Sequence, residues 1–200
     1  MIDTIIFDFG DIFINLNKQG TISGLKKLGM TEWNSEMDRL NLLYETGDVS
    51  YDDFVGGFQK ELPNASLEEI LEAWNAVLAD FPAYRLEFLK ELSKKYRLFL
   101  LSNTDAIHIA TFEKTVGKPF YTDFYNCFEK VHFSFEIRKR KPNTNSYQHL
   151  IDEHNLIPEQ TLFVDDKKEN TDAASTLGLQ VWNLQVGQED VVDLFTKGIL

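Results

Sequence analysis

Five short runs of apolar residues stand out along the chain and predict the strands of a β-sheet. They span roughly Thr4 to Phe7, Arg97 to Leu101, Lys130 to Phe133, Thr161 to Val164 and Leu179 to Asn183. Each run is continuous rather than alternating, which is typical of strands in a parallel sheet that is covered on both faces. Helical patterns separate the later runs, so strand and helix alternate from about residue 86 onward. This alternation predicts a doubly wound α/β domain.

Amphipathic helices are predicted between the later strands, because apolar residues recur there every three to four positions. These helices cover Arg85 to Lys95, Thr144 to His154 and Lys168 to Leu177. Gly178 follows the last helix and is placed to end it, since glycine readily adopts the backbone conformation that terminates helices.

Residues 15 to 84 interrupt this alternation, because their apolar positions recur with a helical period. One helix is predicted to end at Gly29, and three more are predicted over Thr31 to Tyr44, Asp52 to Leu62 and Ser66 to Asp80. A single crossover helix between parallel strands does not need so many residues. The stretch therefore predicts a helical insert that lies over the strand ends.

The insert divides the chain into two predicted parts. We predict an α/β core of residues 1–14 and 85–200 with a doubly wound parallel sheet, and a small all-α cap of residues 15–84 inserted after the first strand. Phe13 to Leu16 and Asp80 to Tyr84 are the predicted links between the two parts. A cap that closes over strand ends excludes water and selects substrates.

Charge and composition narrow the classes of function. The chain has 200 residues and a formal net charge of −12, from 20 basic and 32 acidic residues. Such a field disfavours nonspecific binding to nucleic acid or anionic membranes, and no apolar run approaches the ~20 residues that span a bilayer. The single cysteine, Cys127, excludes an internal disulfide and fits a reducing compartment. We therefore expect a cytoplasmic protein that has neither nucleic acid nor membrane as a partner.

Acidic residues directly follow two of the predicted strands. Asp8 comes after the first apolar run, and Asp165 and Asp166 come after the fourth. Open α/β sheets bind ligands at the carboxyl ends of their strands, so these carboxylates are predicted to share one site. Three converging carboxylates would repel one another without a cation, and Mg²⁺ binds carboxylate oxygens. The strand ends therefore predict a magnesium site, although all three acids would also suit the caps of following helices.

Four short motifs appear in order along the chain, and each except the third follows an apolar run. They are Phe7-Asp8-Phe9-Gly10-Asp11, Leu101-Ser102-Asn103-Thr104, Arg140-Lys141-Pro142, and Phe163-Val164-Asp165-Asp166 with Asn170. With these motifs the chain resembles the haloacid dehalogenase superfamily of hydrolases over essentially its whole length. The resemblance implies a Rossmann-like core, a helical cap, and Mg²⁺-dependent hydrolysis of a small phosphorylated metabolite.

The resemblance also implies roles for individual residues. Asp8 would be the nucleophile that attacks phosphorus and forms an aspartyl-phosphate. Ser102 and Asn103 would bind the phosphoryl group, and Lys141 would stabilise that group and the nucleophile with its compact charge. Read without the resemblance, Ser102 and Asn103 would equally suit a turn or a helix cap, and Lys141 would suit a solvated loop.

The implied metal site uses residues from the first and last motifs. Asp8, Asp165, Asp166 and the backbone carbonyl of Gly10 would bind Mg²⁺, with water and phosphate completing the shell. Asn170 lies one helical turn after Asp166 and would hold an acid in place.

Position 10 departs from the family pattern. Phosphatases of this superfamily usually carry a second Asp there, which protonates the leaving alcohol and then activates water. Gly10 offers only its backbone, and Asp11 is an imperfect substitute because neighbouring side chains point in different directions. Protonation of the leaving group is therefore predicted to be weak, or to come from water or from a cap residue.

Three other functions remain open from the sequence. A 2-haloacid dehalogenase acts without a metal, and the pair Asp165-Asp166 argues against it, since an uncharged transferred group would leave these acids unneutralised. A phosphate-transfer mutase would need the acid–base group that Gly10 lacks. The rival from another class is a catalytically weak relative that binds a phosphometabolite or a protein partner, and the missing acid is its main support.

Overall fold

The computed structural model describes residues 1–200 and is built around one sheet of five parallel strands. The strands are β1 (Thr4–Phe7), β2 (Arg97–Ser102), β3 (Lys130–Phe133), β4 (Thr161–Asp165) and β5 (Gln180–Asn183). Their order across the sheet is β3-β2-β1-β4-β5, and each neighbouring pair is parallel. The predicted α/β fold with a parallel sheet is confirmed, and each strand lies within one residue of its apolar run.

Helices cover both faces of the sheet. They are α5 (Ala83–Leu92), α6 (Ala106–Val116), α7 (Lys118–Asn126), α8 (Ser134–Ile137), α9 (Thr144–His154) and α10 (Lys168–Ser175). Ile5 and Phe7 of β1 join the largest apolar cluster, whereas Ile6 joins a second cluster with Phe99 and Phe163. The apolar runs are continuous because alternate residues of the central strands are buried on opposite faces.

Four helices form an insert between β1 and α5. They are α1 (Gly20–Lys27), α2 (Ser35–Glu45), α3 (Tyr51–Glu61) and α4 (Leu67–Asn75). Their apolar faces form a third cluster that contains Phe54, Phe58 and Trp74. The helix predicted to reach Asp80 is shorter than expected, because the chain after Asn75 turns back to pair with the segment that enters the insert. The division into core and cap stays a prediction. None of the helices in the chain combines the length and apolar character that a membrane crossing requires.

The segments that enter and leave the four-helix insert pair with each other. The Asn15 N–H donates to the Asp80 carbonyl at 2.9 Å, and the Ala79 N–H donates to the Asn15 carbonyl at 3.0 Å. The pairing involves residues 77–80, so Asp80 of the predicted outgoing link takes part in it, whereas Tyr84 already lies in α5, which begins at Ala83. The role of these segments as links stays a prediction.

Candidate active site

The acidic residues at the ends of β1 and β4 lie together. The two strands are hydrogen-bonded neighbours, and the Asp8 N–H donates to the Val164 carbonyl at 2.9 Å. One carboxylate oxygen each from Asp8, Asp165 and Asp166 lies within 4.8 Å of the others. Asp8 and Asp165 are both buried. The parallel register thus brings together acids that are more than 150 residues apart in the sequence.

Lys141 supplies positive charge between two of these acids. Its Nζ lies 2.7 Å from Asp8 Oδ1 and 2.7 Å from Asp165 Oδ2, and its side chain is 1% exposed. Burial by itself lowers the pKa of Lys141, but the Asp165 and Asp8 carboxylates outweigh burial and raise that pKa above its ordinary value. The ammonium therefore stays charged among three acidic side chains.

The titration of Asp8 indicates that the cluster still lacks positive charge. Burial raises the pKa of the Asp8 carboxyl to about 7; the Lys141 ammonium offsets part of this rise, and the Asp165 carboxylate adds to it. A divalent cation would supply the missing charge, and carboxylate oxygens are ligands that Mg²⁺ prefers. Asp8, Asp165 and Asp166 therefore fit Mg²⁺, while the Gly10 carbonyl stays a predicted ligand.

Asp165 is held in one orientation by its neighbours. The Asn170 side-chain amide donates to both Asp165 carboxylate oxygens at 3.0 Å, and the Lys167 N–H donates to Oδ1 at 2.8 Å. Tyr147 in turn donates its hydroxyl to the Asn170 carbonyl at 2.9 Å. These contacts fix the acid from α10 and α9, so Asn170 lies where the sequence predicts a supporting residue.

Asn103 holds the main chain of Lys141. Its Nδ2 donates to the Lys141 carbonyl at 2.8 Å, and its Oδ1 accepts from the Lys141 N–H at 3.0 Å. Asn103 therefore positions the lysine, and its predicted contact with phosphate stays a prediction. Ser102, the last residue of β2, is buried beside it and lines a cavity at the strand ends.

Lys18 belongs to this site, and sequence reasoning does not find it. Its Nζ lies 2.8 Å from Asp11 Oδ2 and 3.2 Å from Asp166 Oδ2. Asp11 has a left-handed backbone with a φ of 57°, and its Oδ1 accepts the Leu16 N–H at 2.9 Å. The Asp11 carboxylate is thus engaged with a lysine and a loop amide. The idea that Asp11 replaces the acid missing at Gly10 is therefore not supported.

A cavity of about 180 Å³ adjoins Gly10 and Ser102. Three titratable side chains line it: Glu45, His108 and Lys167. The rest of its wall is largely apolar and contains Phe9, Ile14, Leu16, Val77, Leu78 and Ile109. Ser102, Asn103 and Thr104 add polar groups to the wall, so the cavity suits a small organic molecule with several hydrogen-bonding groups.

Glu45 is the one carboxyl group in the cavity wall. It ends α2, and its Oε2 lies 2.9 Å from Arg140 Nη2, in the loop that carries Lys141. Burial raises the pKa of Glu45, and the Arg140 charge offsets part of that rise. Two residues later Gly47 has a φ of 68°, and a Cβ there would lie only 2.2 Å from the Phe135 carbonyl oxygen. The turn after α2 therefore packs directly on the segment between β3 and α9.

His108 has both ring nitrogens occupied. Its Nδ1 lies 3.0 Å from Asp105 Oδ2, and its Nε2 lies 3.2 Å from the Trp74 carbonyl oxygen. Burial by itself lowers the pKa of His108, but the Asp105 carboxylate outweighs burial and raises the pKa above its ordinary value. A protonated His108 thus joins α6 to α4, and the sequence gives no sign of this link.

Known proteins of one hydrolase family resemble this chain in sequence and in structure. The chain matches the haloacid dehalogenase-like hydrolase family over residues 5–184. A curated relative, the D-ribitol-5-phosphate phosphatase of Bacteroides thetaiotaomicron, is 26% identical over 203 aligned positions, which cover 94% of this chain and 95% of the relative.

Solved structures with the same architecture extend over the whole chain. A haloacid dehalogenase family enzyme of Bacteroides thetaiotaomicron, in complex with magnesium and inorganic phosphate, is 30% identical with a TM-score of 0.87, covering 98% of this chain and 100% of that chain. A predicted haloacid dehalogenase-like hydrolase of Porphyromonas gingivalis is 26% identical with a TM-score of 0.83, covering 98% and 97%. The family resemblance read from the four motifs is thereby confirmed.

Proposed function

The chain belongs to the haloacid dehalogenase-like hydrolases, and we propose that it is a Mg²⁺-dependent phosphatase of a small phosphorylated metabolite. The observation that carries the proposal is the contact between Lys141 and both Asp8 and Asp165, within a cluster of three acids at the strand ends. A carboxylate nucleophile, a buried ammonium and a set of hard oxygen ligands are the groups that phosphoryl transfer requires.

Asp8 is the nucleophile in this proposal. One of its carboxylate oxygens attacks phosphorus, the bond from phosphorus to the alcohol oxygen breaks, and an aspartyl-phosphate forms. Lys141 stabilises the charge on the phosphoryl oxygens, and Ser102 orients them from the end of β2. Water then attacks phosphorus, which releases inorganic phosphate and restores the Asp8 carboxylate.

Mg²⁺, when bound, offsets the negative charge of the phosphate and of the attacking carboxylate. Asp8, Asp165, Asp166 and the Gly10 carbonyl would hold it. Asn170 and the Lys167 N–H keep Asp165 in the orientation that this ligation needs.

We assign protonation of the leaving alcohol to Glu45. Gly10 provides no acid, both carboxylate oxygens of Asp11 have partners, and so do both nitrogens of His108. Glu45 pairs with Arg140 through Oε2 alone. Glu45 lines the same cavity as Gly10 and Ser102, and its burial favours the protonated form. A general acid supplied by the helical insert would also be delivered only when the insert lies over the strand ends.

The proposed substrate class is a short polyol phosphate or sugar phosphate. Support comes from the relative that acts as a D-ribitol-5-phosphate phosphatase, and from the polar side chains in the wall of the small cavity, which include Glu45, Thr104 and Lys167. Because the chain has a formal net charge of −12, only the few basic groups near the site can attract an anionic substrate.

A screen of phosphorylated metabolites with and without Mg²⁺ tests this function. We expect the wild type to release phosphate from short polyol or sugar phosphates only with Mg²⁺, and Asp8→Asn to be inactive. Asp52→Asn is the matched control, because it makes the same chemical change on the exposed face of α3 and should keep full activity. Activity that survives Asp8→Asn would refute the assignment.

The rival function is a catalytically weak relative that binds a phosphometabolite without turning it over. Gly10 is the observation that favours it, because it removes the usual acid–base residue. Tight binding of one phosphate ester in the same screen, with no phosphate released from any ester, would favour this rival. A metal-free dehalogenase is opposed by the excess of acids around Lys141.

A further inference from the structure

A second cluster of ligand-type side chains lies away from the acidic site, at the edge of the sheet. His132 belongs to the edge strand β3, whereas His149, Glu153 and His154 belong to α9. His132 is buried, His154 is partly buried, and Glu153 is exposed. None of these residues takes part in the hydrolysis proposed above.

The ring nitrogens and the carboxylate of this cluster converge on one point. His132 Nε2 lies 2.8 Å from His154 Nε2, and His154 Nε2 lies 3.8 Å from Glu153 Oε1. His149 Nε2 lies 2.9 Å from Glu153 Oε2, so a third imidazole borders the same carboxylate. The ligand atoms of His132, Glu153 and His154 all lie within 4.8 Å of one another.

A hydrogen bond between the His132 and His154 rings explains only part of this arrangement. It uses one proton between two nitrogens, and it gives no reason for a carboxylate oxygen within 4.8 Å of both ring nitrogens. His132 is buried in β3, and its Nε2 lies on the side of the ring that meets α9.

The geometry suits a tetrahedral metal ion after a small movement. Zn²⁺ binds histidine nitrogen at about 2.0–2.1 Å, which places tetrahedral ligands roughly 3.3–3.5 Å apart. The His132–His154 contact of 2.8 Å would open by about half an ångström to meet this spacing. Glu153 is free to turn because it is exposed, and His154 is the last residue of its helix.

We propose that His132, Glu153 and His154 bind a late first-row divalent ion such as Zn²⁺. Two imidazoles and one carboxylate favour such ions over Mg²⁺, which prefers oxygen. The ion would join β3 to α9. Because the loop that carries Lys141 runs between these two elements, the ion would tie down both ends of the segment that delivers the lysine.

Co²⁺ is the probe that tests this site, because its visible absorption reports ligand number and type. Metal-stripped full-length protein is titrated with Co²⁺ while saturating Mg²⁺ occupies the acidic cluster. We expect one equivalent to bind with the absorption of tetrahedral, nitrogen-ligated Co²⁺. His154→Gln and Glu153→Gln should each weaken that binding by at least roughly tenfold.

Asp166→Asn distinguishes Co²⁺ bound at the histidine cluster from Co²⁺ bound at the acidic cluster. It alters the acidic cluster and should leave Co²⁺ binding at the histidine cluster unchanged. The proposal is overturned if no Co²⁺ binds beside Mg²⁺, if Glu153→Gln binds it as tightly as the wild type, or if Asp166→Asn abolishes the absorption. Glu153 is exposed, so Glu153→Gln decides the matter even where His154→Gln fails to fold.

Discussion

At the scale of single residues, Lys141 makes the contacts that hold the acidic site together. Its Nζ joins two acids that come from β1 and β4, and its backbone is fixed by Asn103 from the end of β2. A buried charge is tolerated only when it is paired in this way. In the proposed mechanism, phosphate binding, metal binding and nucleophilic attack would therefore be coupled through one ammonium group.

Replacing Gly10 with aspartate should restore the usual acid, provided that room is made for it. A Cβ at position 10 would lie 2.8 Å from Leu16 Cδ1, the flexible end of a side chain. We predict that Gly10→Asp combined with Leu16→Ala hydrolyses an alkyl phosphate on the order of tenfold faster than Leu16→Ala alone. Steady-state kinetics measure this, and a folded double variant no faster than Leu16→Ala would contradict it.

A variant that lacks the carboxyl proton of Glu45 should hydrolyse more slowly only those substrates whose leaving group needs a proton. Glu45→Gln is predicted to lower kcat for an alkyl phosphate on the order of a hundredfold, because the alcohol then departs unprotonated. Hydrolysis of p-nitrophenyl phosphate should change little, since nitrophenolate leaves without a proton. Glu36→Gln on the exposed part of α2 is the control. An equal loss for both substrates would indicate a merely structural role in the pair with Arg140.

At the scale of elements, the four-helix insert meets the rest of the chain at a few defined contacts. Residues 15–17 pair with residues 77–80, and Gly47 packs on the Phe135 carbonyl. His108 bridges α6 to the end of α4. These contacts decide whether Glu45 lies over the strand ends, so they bear on catalysis as well as on stability.

The His108 contact should make stability depend on pH. The folded protein raises the pKa of His108 above its unfolded value, so this group stabilises the fold below about pH 6.5 and loses its contribution as pH rises through the folded pKa. His108→Gln is predicted to cost roughly 1–2 kcal/mol of unfolding free energy at pH 6 and clearly less at pH 9.

Urea unfolding at the two pH values measures the difference between wild type and variant. A cost of His108→Gln that grows as pH rises would contradict the account.

At the scale of the whole molecule, the fold could be predicted because a strand that is buried on both faces of a sheet is apolar at every position. Ile5, Ile6 and Phe7 of β1 form such a run, and Asp8 is the first polar residue after it. Long-range polar contacts leave no such pattern. Lys18 and Asp166 are separated by 148 positions, and nothing local to either one indicates their contact. The position of α7, which is rich in aromatic residues, and the end of α4 at Asn75 likewise could not be predicted, because both depend on packing against other elements.

One largely buried ion pair joins α5 to the C-terminal part of the chain, and the same arginine reaches the segment after β1. Arg85 on α5 lies 2.8 Å from Asp190 near the C-terminal end, and it also donates to the Phe13 carbonyl at 3.1 Å. Arg85→Met is predicted to lower the free energy of unfolding by roughly 2–4 kcal/mol, because Asp190 and the Phe13 carbonyl lose their partner.

Arg39→Met is the control for that prediction. It removes an exposed pair with Glu36 and should lower the free energy of unfolding far less than Arg85→Met does. Chemical denaturation of both variants at one pH gives the comparison, and equal costs would show that the Arg85 contacts contribute no more than a surface pair.

Trapping the covalent intermediate tests the central claim most directly. Borohydride reduces an aspartyl-phosphate to homoserine, which peptide mass spectrometry locates. After brief turnover of a hydrolysed phosphate ester with Mg²⁺, we predict homoserine at position 8, and none without the ester or without Mg²⁺. Turnover that leaves Asp8 unmodified while another residue carries the change would contradict the assignment of Asp8 as the nucleophile.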